Sequence, residues 1–143
     1  MKSTSKCLSW IYGITLFFIT LSGFAQMPIF KRYYIADIPG LGWLADFYAT
    51  HLLHYLFAWI FICLITYGLV DLILAKRPLS SIGRLAMTRG IVIAGLILTG
   101  CLMVIKNFSG TPFSHGLIIT LDLSHLMLCM ALLAIGAFRL IKR

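Results

Sequence analysis

Glutamate is absent from this chain, and its four acids are all aspartate. Charge of either sign is scarce: 11% of the 143 residues are charged, where a soluble domain carries about a quarter. So little polar surface cannot cover a water-exposed globule, which excludes an ordinary soluble domain. Cysteine is also sparse, at Cys7, Cys63, Cys101 and Cys129. None falls in a C-x-x-C pair or precedes a histidine at haem-attachment spacing. An iron–sulfur cluster, a zinc site and covalently attached haem are therefore excluded. Three of the four lie inside apolar runs, where a free thiol packs as a small hydrophobe, so they are expected as core residues. Internal repeats, low-complexity segments and flavin or nucleotide motifs are missing as well.

What is present is apolar. Hydrophobic residues make up 61% of the chain, and its mean hydropathy is +1.00. Four apolar runs stand out, at about residues 8–27, 47–75, 87–105 and 116–141. A helix needs about 20 such residues to span the hydrocarbon core, and lipid obliges each run to satisfy its backbone internally. The expected fold is an all-α membrane protein, one four-transmembrane-helix bundle covering residues 1–143.

The net charge of +8 would suggest nucleic acid in a soluble protein. Here the cations lie between the apolar runs. Lys2, Lys6, Lys76, Arg77, Arg84, Arg89, Arg139, Lys142 and Arg143 fall on one side, nine of twelve. Lys31, Arg32 and Lys106 fall on the other, offset partly by Asp37 and Asp46. The positive-inside rule then puts both termini in the cytoplasm. Residues 1–25 also resemble a secretory signal with Gly23-Phe24-Ala25 as a cleavage site, but the apolar stretch is long for one. The loop from Pro28 to Asp46 mixes aromatic and basic residues, including Phe30, Lys31, Arg32, Tyr33, Tyr34 and Trp43. It reads as an interfacial anchor or as a docking surface for an extramembrane partner.

The histidines carry the chemistry. His51 and His54 open the second run, His115 precedes the fourth and His125 lies within it. Both runs start on the outer side in this topology, so all four imidazoles belong to the outer half. His54 lies 22 residues before Lys76, and His125 lies 14 before Arg139 and 17 before Lys142. At a helical rise of about 1.5 Å per residue, the two depths differ by roughly 8 to 12 Å. Helix tilt and an offset between helix ends could absorb that, letting a planar cofactor be held from both sides.

Haem b asks for such an arrangement, with axial imidazoles on opposite faces and an apolar slot. Ionisable residues within a span are costly and count as functional by default. A wet aromatic belt is the competing reading for His51 and His54, with Tyr48, Tyr55 and Trp59 around them. His115, beside Ser114 and Gly116, reads as a loop residue and the weaker candidate. His125 is harder to dismiss, at about ten residues into its run. His51 and His54 share a face, so one iron takes only one of them. His54 is favoured as the deeper, with His51 a propionate or quinone partner, though the roles can be exchanged. Asp122, three residues before His125, is a candidate to orient an imidazole or take up a proton beside a quinone. Gly90, Gly95 and Gly100 in the third run suit close helix packing or room for a porphyrin face.

Three stretches carry a family resemblance: Thr50-His51-Leu52-Leu53-His54-Tyr55, Leu121-Asp122-Leu123-Ser124-His125-Leu126, and Gln26 to Tyr34. The chain resembles the b-type cytochrome membrane subunits of bacterial respiratory oxidoreductases, a group that includes formate dehydrogenase gamma subunits and nickel–iron hydrogenase cytochromes b. The resemblance implies an inner-membrane subunit that relays electrons between quinone and an iron–sulfur or other redox partner. Members with two haems usually carry a His-Trp pair near the start of the first span. Ser9-Trp10 stands there in this chain, and Arg139 follows His125 where a second ligand is expected. The resemblance therefore implies one outer haem, the inner one being lost. The rivals are a haem-free quinone-binding anchor and a small membrane enzyme or carrier without a redox role.

Overall fold

The computed structural model of the chain describes residues 2–27, 37–75, 83–108, 110 and 113–141. Four long helices carry it: α1 over Lys2–Ala25, α2 over Phe47–Leu74, α3 over Arg84–Ile105 and α4 over His115–Ile141. No strand occurs among the described residues. All four helices are long and apolar enough to cross a membrane. The chain is thus an all-helical, multi-pass membrane protein by length and composition.

The helix boundaries differ from the apolar runs for local reasons. α1 starts at Lys2 rather than at the first apolar residue, because helix continues through the polar turn before the run. α3 starts at Arg84, three residues before its apolar run, with the Met87 N–H donating to the Gly83 carbonyl at 3.1 Å. α2 is started by Asp46, whose carboxylate accepts from the N–H groups of Tyr48 at 2.9 Å and Ala49 at 3.3 Å. Such a cap satisfies donors the helix itself leaves unpaired. Just before it, Gly42–Ala45 forms one 3-10 turn that buries Leu44. Gly40, at φ +87°, makes the bend that leads into it, a conformation that favours glycine. Lys31 to Tyr34, the basic and aromatic heart of the expected docking loop, lie outside the described residues, as do Lys76, Arg77, Lys142 and Arg143.

The chain divides into two compact units, Met1–Lys76 and Arg77–Arg143. Each is a helical hairpin. In the first, Phe18 stacks on Phe57 at 4.8 Å between ring centroids, and Tyr12 meets Phe61 at 6.0 Å. Positions descend along α1 as they rise along α2, so the two helices run antiparallel. In the second, Leu128 of α4 packs where a side chain on Gly95 of α3 would stand. Nearer the other end of that hairpin Lys106 meets Asp122, so α3 and α4 are antiparallel too.

Few side chains among the described residues are buried. Phe61, Ile93, Leu121 and Leu132 are, whereas Trp10, Trp59, Ile91 and Met127 are each more than two-thirds exposed. Long apolar faces of this kind are stable against lipid, not water. The cysteines follow the same rule. They were expected in a protein core, yet Cys7, Cys63 and Cys101 are exposed and Cys129 is half-buried, all as free thiols. In a membrane a small apolar thiol needs no protein core to leave water.

Candidate functional site

His54 is the eighth residue of α2, and its neighbours on α1 are unusual for an apolar helix. Its Nδ1 lies 3.0 Å from the Ile19 carbonyl oxygen and 3.2 Å from Ser22 Oγ. A carbonyl can only accept, so Nδ1 carries a proton. Ser22 is fully buried, and its hydroxyl donates to the Phe18 carbonyl at 2.7 Å, with Ile19 O at 3.1 Å. Gly23 explains how the ring gets so close. A Cβ there would stand 3.1 Å from His54 Cε1 and 3.4 Å from Nδ1. Without that Cβ, the Ile19 carbonyl one turn earlier is open to the imidazole.

His125 repeats the arrangement in the second hairpin. It is the eleventh residue of α4, half-buried, with Nδ1 2.8 Å from Thr99 Oγ1 on α3. A Cβ on Gly100 would meet His125 Cε1 at 3.5 Å, ordinary contact distance. Each hairpin therefore sets a histidine of its second helix against a hydroxyl–glycine pair of its first, Ser22-Gly23 or Thr99-Gly100. The sequence shows no repeat, because the matching residues lie on different helices and at unequal separations.

The equivalence extends one turn further. Three residues before His54, His51 places Nδ1 3.0 Å from Gln26 Oε1, and Gln26 Nε2 donates to the Ser22 carbonyl at 3.1 Å. The His51 ring also stacks on Phe47 at 5.1 Å and leans on Tyr55 at 4.3 Å. Three residues before His125, Asp122 Oδ1 accepts from Lys106 Nζ at 2.6 Å. The carboxylate offered by the sequence as an orienting partner for an imidazole is thus engaged by a lysine, and Thr99 holds the ring. His115 is the exposed first residue of α4. Of the three glycines in the third run, Gly95 and Gly100 meet α4, while Gly90 faces open space.

Sequence reasoning missed Ser22, Gly23, Gln26 and Thr99. The signal for Ser22, Gly23 and Thr99 is a hydroxyl followed by glycine, in Leu21-Ser22-Gly23 and Leu98-Thr99-Gly100, while Gln26 entered only through the family resemblance. That signal is weak, because Ser and Thr in apolar helices commonly bond back to their own carbonyls.

Among the described residues, no three His, Cys, Asp or Glu side chains gather as a metal site. An axially ligated macrocycle asks for fewer, since the protein gives its iron at most two. Two hairpins of membrane-spanning length, each with a histidine set against a hydroxyl–glycine pair, define a multi-pass membrane protein with ionisable groups inside its spans. Comparison with protein-family models, with characterised proteins and with solved structures returns no match.

Proposed function

We propose that this chain is a haem b-carrying subunit of a bacterial inner-membrane oxidoreductase, relaying single electrons between quinone and a partner redox subunit. His54 and His125 are the residues that would hold its iron. The observation that carries the reading is the repeated imidazole anchor, with Nδ1 engaged and the ring against a glycine. Metal-binding histidine commonly has its second nitrogen tied to the protein in this way, which fixes the ring and raises its basicity. An imidazole in a lipid-spanning helix is costly. Burying its ring nitrogens unbonded would cost about 1–3 kcal/mol each. The Nδ1 contacts offset that at one nitrogen, and Nε2 is assigned as the coordinating atom.

Haem b, when bound, supplies reversible one-electron chemistry. The chain's own residues orient the two imidazoles, through Ile19 and Ser22 at His54 and through Thr99 at His125. His51, held by Gln26 and stacked on Phe47, is assigned to a propionate or to the quinone. The chain has no cluster or nucleotide motif, so electrons from a substrate reach it through a partner carrying redox centres.

The test is the visible spectrum of the purified, dithionite-reduced protein with a haem assay. One haem per chain and a low-spin reduced spectrum are expected. Two haems per chain would bring in His51 or His115 as a further ligand and overturn the pairing. Absence of any haem spectrum would leave a haem-free quinone-binding anchor in its place.

Orientation belongs to the same proposal: both termini are cytoplasmic, following the cations. Reporter fusions after Ser80 should read as inside, and fusions after Gly110 as outside. A C-terminal fusion that reads as periplasmic would overturn the assignment.

A further inference from the structure

The two imidazoles are anchored by unequal means. His54 faces the Ile19 carbonyl, which cannot donate, so its Nδ1–H form is enforced whatever Ser22 does. Among the described residues, the His125 ring has its hydrogen bond with Thr99. A hydroxyl can donate or accept, so the state of this ring depends on where the hydroxyl sends its single proton.

Two acceptors compete for that proton. Thr99 Oγ1 lies 2.8 Å from the Gly95 carbonyl and 3.2 Å from the Leu96 carbonyl. With its proton drawn there, the oxygen offers a lone pair to the ring at 2.8 Å. The ring must then bring a proton of its own at Nδ1. Asp122, one turn before the ring, is engaged by Lys106 at 2.6 Å.

We propose that Thr99 is the positioning residue that fixes His125 in its Nδ1–H form and thereby sets the basicity of Nε2, whereas Ser22 plays no such part for His54. The consequence at iron rests on the haem reading; the proton placement does not. A hydrogen bond from Nδ1–H makes Nε2 a better donor to ferric iron, so losing it should raise the midpoint potential and loosen the ligand. Loss of such a partner typically costs 10- to 100-fold in metal affinity.

The experiment uses the whole chain in lipid nanodiscs, with ring nitrogens labelled with 15N, both without haem and loaded with it. Ring 15N shifts report the proton placement directly. Without haem, wild-type His125 should show the Nδ1–H form. Thr99→Val should move His125 toward the Nε2–H form, Thr99→Ser should restore the wild-type pattern, and Ser22→Ala should leave His54 unchanged. With haem, Thr99→Val should retain haem about tenfold less tightly and show a raised midpoint potential, again rescued by Thr99→Ser. An Nε2–H form of His125 in the wild-type chain overturns the proposal, even if the valine variant fails to fold. So does a valine variant with wild-type shifts, or a Ser22→Ala effect as large as that at Thr99. If the shifts behave as expected but the wild-type chain takes up no haem, the anchoring by Thr99 stands and the haem reading falls.

Discussion

His125→Ala is expected to abolish the low-spin reduced haem spectrum, and His54→Ala to do the same. Each alanine removes the imidazole that its hairpin sets against a hydroxyl–glycine pair. His54 and His125 are further into their helices than His51 and His115, and an apolar macrocycle gains by leaving the interface. His51→Ala should shift or weaken the spectrum without removing it, because His51 is fastened to Gln26 and stacked on Phe47 near the start of α2. The measurement is haem content and the reduced spectrum of each purified variant. If only His51→Ala abolishes the spectrum, the ligand moves one helical turn and the assignment of His54 is wrong. If no histidine substitution alters it, neither imidazole binds iron.

The second large effect is expected from a residue with no side chain. Gly23→Leu should remove haem as completely as His54→Ala. A Cβ at position 23 would stand 3.1 Å from His54 Cε1, closer than real Cβ atoms usually come, and a leucine adds three further carbons beyond it. The ring would be driven off the Ile19 carbonyl and would lose the contact that places its proton. Gly23→Ala should act in the same direction but more weakly, since a shift of a few tenths of an ångström relieves it. Gly100→Ala should be mild, because its Cβ would meet His125 at 3.5 Å. Gly68→Leu serves as the control, for nothing lies within 4 Å of a Cβ there. Haem per chain, with helicity followed by circular dichroism, separates loss of the ligand from loss of the fold. Full haem retention in Gly23→Leu, with an unshifted spectrum, would show that the glycine does not serve the imidazole.

These two expectations draw on different kinds of information. The four helices are legible in sequence because lipid imposes a single rule: about 20 consecutive apolar residues, with backbone bonds closed inside the segment. Composition alone carries that rule, so the spans at 47–75 and 116–141 differ by only a residue from Phe47–Leu74 and His115–Ile141. The first and third helices run further, to Lys2 and Arg84, because helix does not stop where hydrophobicity does. The histidines stand out for the same reason, as costly residues in apolar runs.

Their surroundings were not legible. Periodicity puts Asp122 on the face of His125, and from one helix alone that carboxylate is the natural partner for the ring. The fold gives it to Lys106, from the far end of α3, and gives the ring to Thr99. Gln26 for His51 and the Ile19 carbonyl for His54 likewise come from the neighbouring helix. Lipid selects helices by the average character of a segment, which a sequence displays directly. A hydrogen bond selects one atom at about 3 Å on another helix. That choice depends on how far each helix slides and turns against its neighbour, and only the packing of one surface on the other decides it.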